Sequence, residues 1–247
     1  MPIKTTLNYS PNFNPLKREK NQIKFLIFHY TGMKKESDAI NKLTAIQSEV
    51  SSHYLIKKNG EIITLIPDLY IAWHAGKSSW GNYKFLNKDS IGIEITNSGH
   101  KFNYKKFPKT QINSVLKLSR FLIKNYKIDP RNILGHSDIA PDRKKDPGEK
   151  FPWKYFSQNK VGLWHSIKKK ELKKNRKIKI TNVDKRNFLK NLFKMGYPKK
   201  NQKSLNKERY LKFVIKAFQR RYRQDVVDGK IDQECLIISH NLINKFY

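Results

Sequence analysis

Two histidines and one aspartate occupy positions where chemistry is often carried out. His29 ends an apolar run, His136 follows a short apolar pair at the start of a loop, and Asp146 comes ten residues later. A single histidine is more often structural than a ligand, but strand ends and loops are where sites are assembled. Two histidines and one carboxylate would leave the fourth position of a tetrahedral zinc ion open to water, as catalytic zinc requires. The pattern therefore predicts a catalytic zinc site.

The elements that must position these residues are strands mixed with helices. Short apolar runs predict strands, and a 3.6-residue apolar period predicts helices. Asn59-Gly60 predicts a hairpin turn between two of the strands. Predicted strands cover residues 23–30, 53–57, 61–66, 90–96 and 133–134, predicted helices cover 37–48 and 110–126, and a long loop covers 135–153. This mixture indicates an α/β or α+β domain.

Glu94 interrupts one of the apolar strands. Ile91, Ile93 and Ile95 share one face of that strand, and Glu94 points to the other. A solvent-facing strand residue explains this pattern as well as a functional carboxylate does. The residues alone leave both interpretations open.

Composition changes after about residue 166. Residues 168–180 contain eight Lys or Arg and one Glu, which is typical of a solvated linker or a helix end. Three apolar-periodic segments follow, with turns at Gly196 and at Asp228-Gly229. We expect a domain over residues 1–166 with its core at about 20–160, a basic linker over 167–180, and a separate three-helix domain over 181–247.

The net charge of the 247-residue chain is +32, with a pI near 10.1. Such a field attracts polyanions, including nucleic acid, anionic membrane surfaces and acidic polymers. AT-rich coding, which favours Lys, Asn and Ile, explains the charge equally well. A single cysteine, Cys235, excludes an intrachain disulfide, and no apolar run reaches membrane-spanning length. Residues 1–20 have no apolar segment typical of a signal peptide.

Five segments together resemble a known family. They are Phe-His-Tyr-Thr at 28–31, Ser-His-Tyr at 52–54, Ala-Trp-His-Ala-Gly at 72–76, Ile-Gly-Ile-Glu-Ile at 91–95, and the run from 135 to 148, Gly-His-Ser-Asp-Ile-Ala-Pro-Asp-Arg-Lys-Lys-Asp-Pro-Gly. In this order they resemble the type-2 zinc N-acetylmuramoyl-L-alanine amidases, and within them the AmpD/AmiD branch. Peptidoglycan recognition proteins and phage amidase lysozymes share the fold. The resemblance covers about residues 20–160 and implies a central mixed β-sheet flanked by helices.

The resemblance also implies roles for individual residues. It implies one zinc ion per chain held by His29, His136 and Asp146, with Glu94 as the catalytic carboxylate and Lys144 as its cationic partner. Zinc would acidify a water, Glu94 would take its proton, and Lys144 would stabilise the oxyanion. Relatives in the phage and recognition-protein branches have Tyr where this chain has Ser52. A Tyr-assisted mechanism is therefore in doubt here.

Other residues near these segments are further candidates. We expect Trp73, His74 and Asn97 to contact substrate, although Trp73 would also suit a core position. His53 is expected to be a structural strand residue. The histidines without a motif around them are expected at the surface or in packing: His100, His165 and His240.

The C-terminal helices resemble the three-helix peptidoglycan-binding domain. The resemblance rests on Ala-Phe-Gln-Arg-Arg-Tyr at 217–222, Asp228-Gly229 and Ile231-Asp232. A packing or dimerisation appendage is the alternative, since amphipathic helices with a glycine turn are common. Cys235 lies on an apolar helix face, where a core position is expected.

The leading hypothesis is an enzyme that hydrolyses the amide between MurNAc, or anhydro-MurNAc, and L-Ala of peptidoglycan or muropeptides. A non-catalytic peptidoglycan-recognition module is the first alternative, and the filled ligand positions argue against it. No sequence motif supports nucleic-acid binding, which only the charge suggests. We further expect a monomer in the cell envelope, with the cytoplasm as the alternative location. Its charge would hold it on acidic wall polymers or anionic membrane.

Overall fold

The computed structural model describes residues 3–199 and 207–247. Residues 1–2 of the expected catalytic domain and 200–206 of the expected helical domain lie outside the described residues. Strands are β1 (Thr6–Leu7), β2 (Phe13–Asn14), β3 (Phe25–Tyr30), β4 (Tyr54–Ile56), β5 (Ile62–Thr64), β6 (Ile71–Ala72), β7 (Ser79–Trp80), β8 (Tyr83–Lys84), β9 (Ser90–Ile95) and β10 (Ile133–Gly135). Helices are α1 (Glu36–Thr44), α2 (Lys109–Tyr126), α3 (His136–Ile139), α4 (Trp153–Gln158), α5 (Lys169–Arg176), α6 (Asn182–Met195), α7 (Lys207–Tyr222) and α8 (Gln233–Phe246).

A six-stranded mixed sheet forms the centre of the fold, as expected. Its strand order is β1-β5-β4-β9-β3-β10, with β4 and β5 antiparallel and the other neighbours parallel. The strands predicted in this sheet and the helix α2 are confirmed to within a few residues. The segment expected to be a long loop after His136 instead begins with the short helix α3.

Both faces of the sheet are covered, which explains the unbroken apolar run in β3. Leu26 and Phe28 belong to a core with α2, whose buried residues include Val115. Phe25 and Ile27, on the opposite face, belong to a second core. The C-terminal helices supply most of that second core, including Phe188, Leu192, Val214, Phe218 and Leu242.

The C-terminal helices therefore share a hydrophobic core with strands β3 and β10. The sequence predicted a separate domain on a linker, and the structure differs because the second sheet face needs an apolar cover. Within the expected linker, α5 forms a helix that packs on α8 through Leu172. Arg176 donates to Glu234 over 2.5 and 3.0 Å and secures the same contact. None of the helices in the described part of the chain is long and apolar enough to cross a bilayer.

The shared core makes a stability prediction. Phe218 is fully buried, and Phe218→Ala should lower the free energy of unfolding by about 3–5 kcal/mol, because it leaves a cavity in this second core. Denaturant unfolding followed by circular dichroism measures the loss. The matched control, Phe85→Ala, deletes a ring that is 63% exposed and should change stability little. Equal losses in the two variants would contradict the shared core.

Candidate metal centre and catalytic cavity

Three buried side chains converge at the carboxyl ends of the central strands. His29 is the penultimate residue of β3, His136 begins α3 directly after β10, and Asp146 follows in the next loop. The Nδ1 atoms of the two histidines are 2.9 Å apart, and the Asp146 Oδ2 atom is 3.2 Å from His29 Nδ1 and 3.1 Å from His136 Nδ1. The structure thus brings the three expected ligands together in one cluster that can hold a metal ion.

The donor set fits a tetrahedral zinc ion. Bonds of about 2.0–2.1 Å place tetrahedral ligand atoms about 3.3 Å from one another, slightly wider than the triangle in this structure. Burial, and next the neighbouring His136, lower the pKa of His29 to about 4, so its ring is neutral at pH 7. Burial alone would raise the pKa of Asp146, but the charges and hydrogen bonds of His136 and His29 lower it. Neutral imidazoles and a carboxylate are the protonation states that metal binding requires.

The Nε2 atom of each histidine contacts a further protein group. His136 Nε2 lies 3.2 Å from the carbonyl oxygen of Ala75, and His29 Nε2 lies 3.0 Å from His74 Nδ1. Nε2–H donation in both cases leaves each Nδ1 atom free to bind metal. The His74 ring in turn lies 3.2 Å from Ser90 Oγ, which donates to the carbonyl oxygen of Leu86 over 2.5 Å.

His74 was expected to contact substrate, and the structure shows contacts of its ring with His29 and Ser90. The residue lines the cavity, but it is only 8% exposed and both ring nitrogens face protein partners. Its position behind His29 fixes the orientation and tautomer of that ligand. The residue-type pattern of the sequence did not reveal this contact, which joins two distant segments.

Gly92 makes room for His74 and was not singled out by sequence reasoning. A Cβ atom added at Gly92 would lie 2.5 Å from His74 Cγ and 2.6 Å from its Nδ1. The imidazole therefore packs directly on the backbone of β9. A glycine inside an otherwise apolar strand was the available signal, because such a glycine often marks a close approach.

Glu94 is beside the ligands rather than in solvent. Parallel pairing of β3 and β9 places Glu94 opposite His29, and both Glu94 and Asp146 line the same cavity. Among the described residues, Glu94 Oε2 has no hydrogen-bond partner. Burial, and next the charge of Asp146, raise the pKa of Glu94 to about 8. A divalent cation at the ligands would oppose that rise, leaving a carboxyl group able to exchange protons near neutral pH.

The cavity has a volume of about 600 Å³ and a basic lining. Lys144 is part of that lining, and its charge lowers the pKa values of both Glu94 and His29. Trp73, which is 37% exposed, lines the cavity as expected for a substrate contact and is excluded from the core. The other cations of the lining are Lys42, Lys101, Arg143 and Lys145.

Asn97 does not belong to this lining. Its side chain is 5% exposed, its Nδ2 donates to the carbonyl oxygen of Lys105 over 2.9 Å, and its Oδ1 accepts from the backbone of Gly99 over 3.0 Å. The amide thus closes the 97–105 loop, whose outer side borders a neighbouring groove. A direct substrate contact by Asn97 has no support in this geometry.

His100 reaches the cavity although no motif surrounds it in sequence. Its Nδ1 lies 2.9 Å from the Tyr30 hydroxyl, its Nε2 lies 3.0 Å from Glu149 Oε2, and its ring stacks on Tyr104 at 4.5 Å. Tyr30 and His100 both line the cavity wall.

His53 is fully buried and accepts from the backbone N–H of Gly92, in agreement with a structural residue. His165 is buried and His240 is exposed, both away from the cavity.

Comparison with known proteins finds relatives of this chain. A family model described as N-acetylmuramoyl-L-alanine amidase matches residues 19–149. The N-acetylmuramoyl-L-alanine amidase AmiD of Escherichia coli K12 is 34% identical over 237 residues, which are 91% of this chain and 84% of AmiD.

Two solved structures are similar over nearly the whole chain. One is AmiD from E. coli in complex with the substrate anhydro-N-acetylmuramic acid-L-Ala-D-gamma-Glu-L-Lys, with a TM-score of 0.79 and 34% identity over 91% of this chain and 90% of that one. The other is AmpDh3 from Pseudomonas aeruginosa in complex with anhydromuramic pentapeptide, with a TM-score of 0.78 and 29% identity over 94% of each chain.

The packing of His74 on Gly92 makes a prediction about metal affinity. Gly92→Ala should displace His74, misorient His29 and weaken Zn²⁺ binding about 10–100-fold, the usual effect of losing an outer partner of a ligand. Competition with a chromogenic chelator measures the affinity. Val183→Ala is the control, because it shortens a side chain that is 55% exposed on α6. Unchanged affinity in Gly92→Ala would show that His74 does not orient the ligand.

Proposed function

The chain belongs to the N-acetylmuramoyl-L-alanine amidase family, and we propose that it uses one zinc ion to hydrolyse the amide between MurNAc or anhydro-MurNAc and L-Ala. The observation that carries this proposal is the convergence of three buried ligand atoms with the Glu94 carboxyl, whose Oε2 atom has no hydrogen-bond partner among the described residues, at one open cavity. Its substrates are peptidoglycan or its muropeptides. The relatives solved with anhydro-muropeptides support acceptance of anhydro-MurNAc compounds.

Different residues of the chain have different roles in the proposed reaction. Zinc held by His29, His136 and Asp146 would supply an acidified water and a Lewis acid for the amide carbonyl. The Glu94 carboxylate takes a proton from the attacking water and delivers it to the nitrogen of L-Ala as the C–N bond breaks. Lys144 stabilises the negative charge that develops on the carbonyl oxygen. The products are the lactyl carboxylate of the sugar and a stem peptide with a free L-Ala amine.

The first test is mass spectrometry of products after the protein is incubated with purified sacculi and with an anhydro-muropeptide. We expect free stem peptides beginning at L-Ala, and we expect them to be lost with a zinc chelator and in Glu94→Gln, which removes the proton acceptor with little change of shape. The control is Glu61→Gln, a surface carboxylate paired with Lys57. Binding to sacculi with intact muropeptides in every sample would instead identify a non-catalytic recognition module.

The neighbouring groove suggests how the enzyme would bind polymer. It has a volume of about 600 Å³, its lining includes no carboxylate, and it borders the loop closed by Asn97. Four lysines and one phenylalanine line it: Lys34, Lys58, Lys105, Lys106 and Phe102. We propose electrostatic contact between this groove and acidic wall polymers, because several uncompensated lysines attract polyanions.

This contact would make activity on sacculi fall with salt more steeply than activity on soluble muropeptide. The double variant Lys105→Gln, Lys106→Gln should flatten the salt dependence on sacculi and leave the rate on muropeptide unchanged. Lys170→Gln, Lys174→Gln is the control, since it removes two exposed charges from α5. Equal salt dependence on the two substrates with the unaltered enzyme would exclude the groove as a polymer contact.

Wall binding by the C-terminal helices, an envelope location and a monomeric state belong to the same proposal. The likeness of the helices to the peptidoglycan-binding domain supports the first, and the location of peptidoglycan supports the second. In addition to the proposed wall binding, these helices pack on the sheet. Cell fractionation distinguishes the envelope from the cytoplasm.

A further inference from the structure

A buried carboxylate lies two residues after the ligand His136. Asp138, in α3, is 1% exposed, and its oxygens accept three hydrogen bonds. The backbone N–H of Gly135 donates to Oδ2 over 2.8 Å, Arg221 Nη1 donates to Oδ2 over 2.8 Å, and the Tyr197 hydroxyl donates to Oδ1 over 2.9 Å. Two of these three donors come from the C-terminal helical region.

Arg221, at the end of α7, holds the chain on both sides of His136. Besides donating to Asp138, its Nη2 donates to the backbone carbonyl of Ile133 in β10 over 2.8 Å. The guanidinium is 2% exposed and lies 4.5 Å from the ring centroid of Trp153. A buried guanidinium with two acceptors and an aromatic ring has one orientation, so its contacts on β10 and α3 are fixed relative to each other.

Tyr197 is held with similar precision by the β7–β8 hairpin. The preceding Gly196 directly follows α6 with a φ of +113°, and a Cβ atom there would lie 2.7 Å from the Trp80 ring. The Gly196 carbonyl accepts from the backbone of Gly81 over 2.7 Å, and the Tyr197 ring packs edge-on against Trp80 at 4.8 Å. These contacts fix the phenol that donates to Asp138.

The segment that Arg221 and Tyr197 contact, residues 133–147, carries two of the proposed metal ligands, His136 and Asp146. The backbone N–H of Ser137 donates to the carbonyl oxygen of Asp146 over 2.8 Å, which ties α3 to the second ligand. Gly135 packs so closely on Pro147 that an added Cβ atom would lie 2.6 Å from Pro147 Cδ. A displacement of α3 is therefore transmitted to both His136 and Asp146.

We propose that the C-terminal helices complete the metal centre, with Arg221 and Tyr197 acting as positioning residues for His136 and Asp146 through Asp138. This inference rests on the proposed zinc site. A purely structural attachment of the helices to the sheet would use the same contacts but would leave metal affinity unchanged once the protein is folded. Zinc affinity is thus the readout that separates the two.

Arg223 offers a matched control. It is 3% exposed near the same end of α7, and it pairs with Asp228 and Asp232 inside the helical region. Arg223→Met removes a buried charge as Arg221→Met does, but it leaves Asp138 untouched. Tyr197→Phe removes a single hydroxyl without changing the ring and serves if Arg221→Met does not fold.

The experiment measures the zinc dissociation constant of the full chain by chelator competition, together with the melting temperature. We expect Arg221→Met to weaken zinc binding about 10–100-fold and Tyr197→Phe to weaken it by about tenfold or less, as outer partners of ligands do. Arg223→Met should remain within about twofold of the unaltered protein even where its melting temperature falls equally. Hydrogen exchange of residues 133–147 in zinc-free protein should accelerate in Arg221→Met and not in Arg223→Met.

Unaltered zinc affinity in both Arg221→Met and Tyr197→Phe would overturn the inference, as would an equal loss in Arg223→Met. If the unaltered chain binds no zinc, the proposed cofactor fails. Hydrogen exchange of residues 133–147 then tests whether Arg221 positions this segment. Equal exchange in the Arg221 and Arg223 variants would overturn it.

Discussion

The site depends on bringing two imidazole nitrogens and a carboxylate oxygen within 3.2 Å of one another away from water. Metal binding requires both of these histidine nitrogens to be unprotonated, and three acceptor atoms so close together then repel unless fixed contacts of the side chains and a cation hold them there. His74 and the carbonyl of Ala75 hold the rings of His29 and His136 from behind. The strands, α3 and the glycines around them also restrict these rings to one orientation.

The two-sided sheet gives this arrangement its rigidity. Leu26 and Phe28 pack on one core, and Phe25 and Ile27 pack on the other, so β3 cannot shift without disturbing both. The register of the strands then positions Glu94, because parallel pairing of β3 and β9 places it next to His29. A slip of one residue would turn that carboxyl to the opposite face of the sheet. The acid and the ligand are therefore positioned by the same ladder of hydrogen bonds.

Sequence reasoning predicted what depends on local pattern and motif. The mixed sheet, α2, the three C-terminal helices and the ligand cluster were all predicted, whereas alternation alone could not decide whether Glu94 faced solvent or a cavity. The contact between His74 and His29 was missed because it depends on the absence of a side chain at Gly92, which leaves room for the His74 ring. The docking of the C-terminal helices was also missed, although the apolar run Phe25–Phe28, too continuous for a sheet with one wet face, carried the signal.

The bond from Arg221 to Asp138 spans 83 residues of chain, which has a consequence for biosynthesis. At translation rates of about 5–20 residues per second, α3 leaves the ribosome roughly 4–17 s before its guanidinium partner does. During that interval Asp138 lacks its counter-ion, and the apolar face carrying Phe25 and Ile27 has no helices to cover it. Until the helices are made, the nascent chain therefore exposes apolar surface of the kind that makes folding intermediates prone to aggregation.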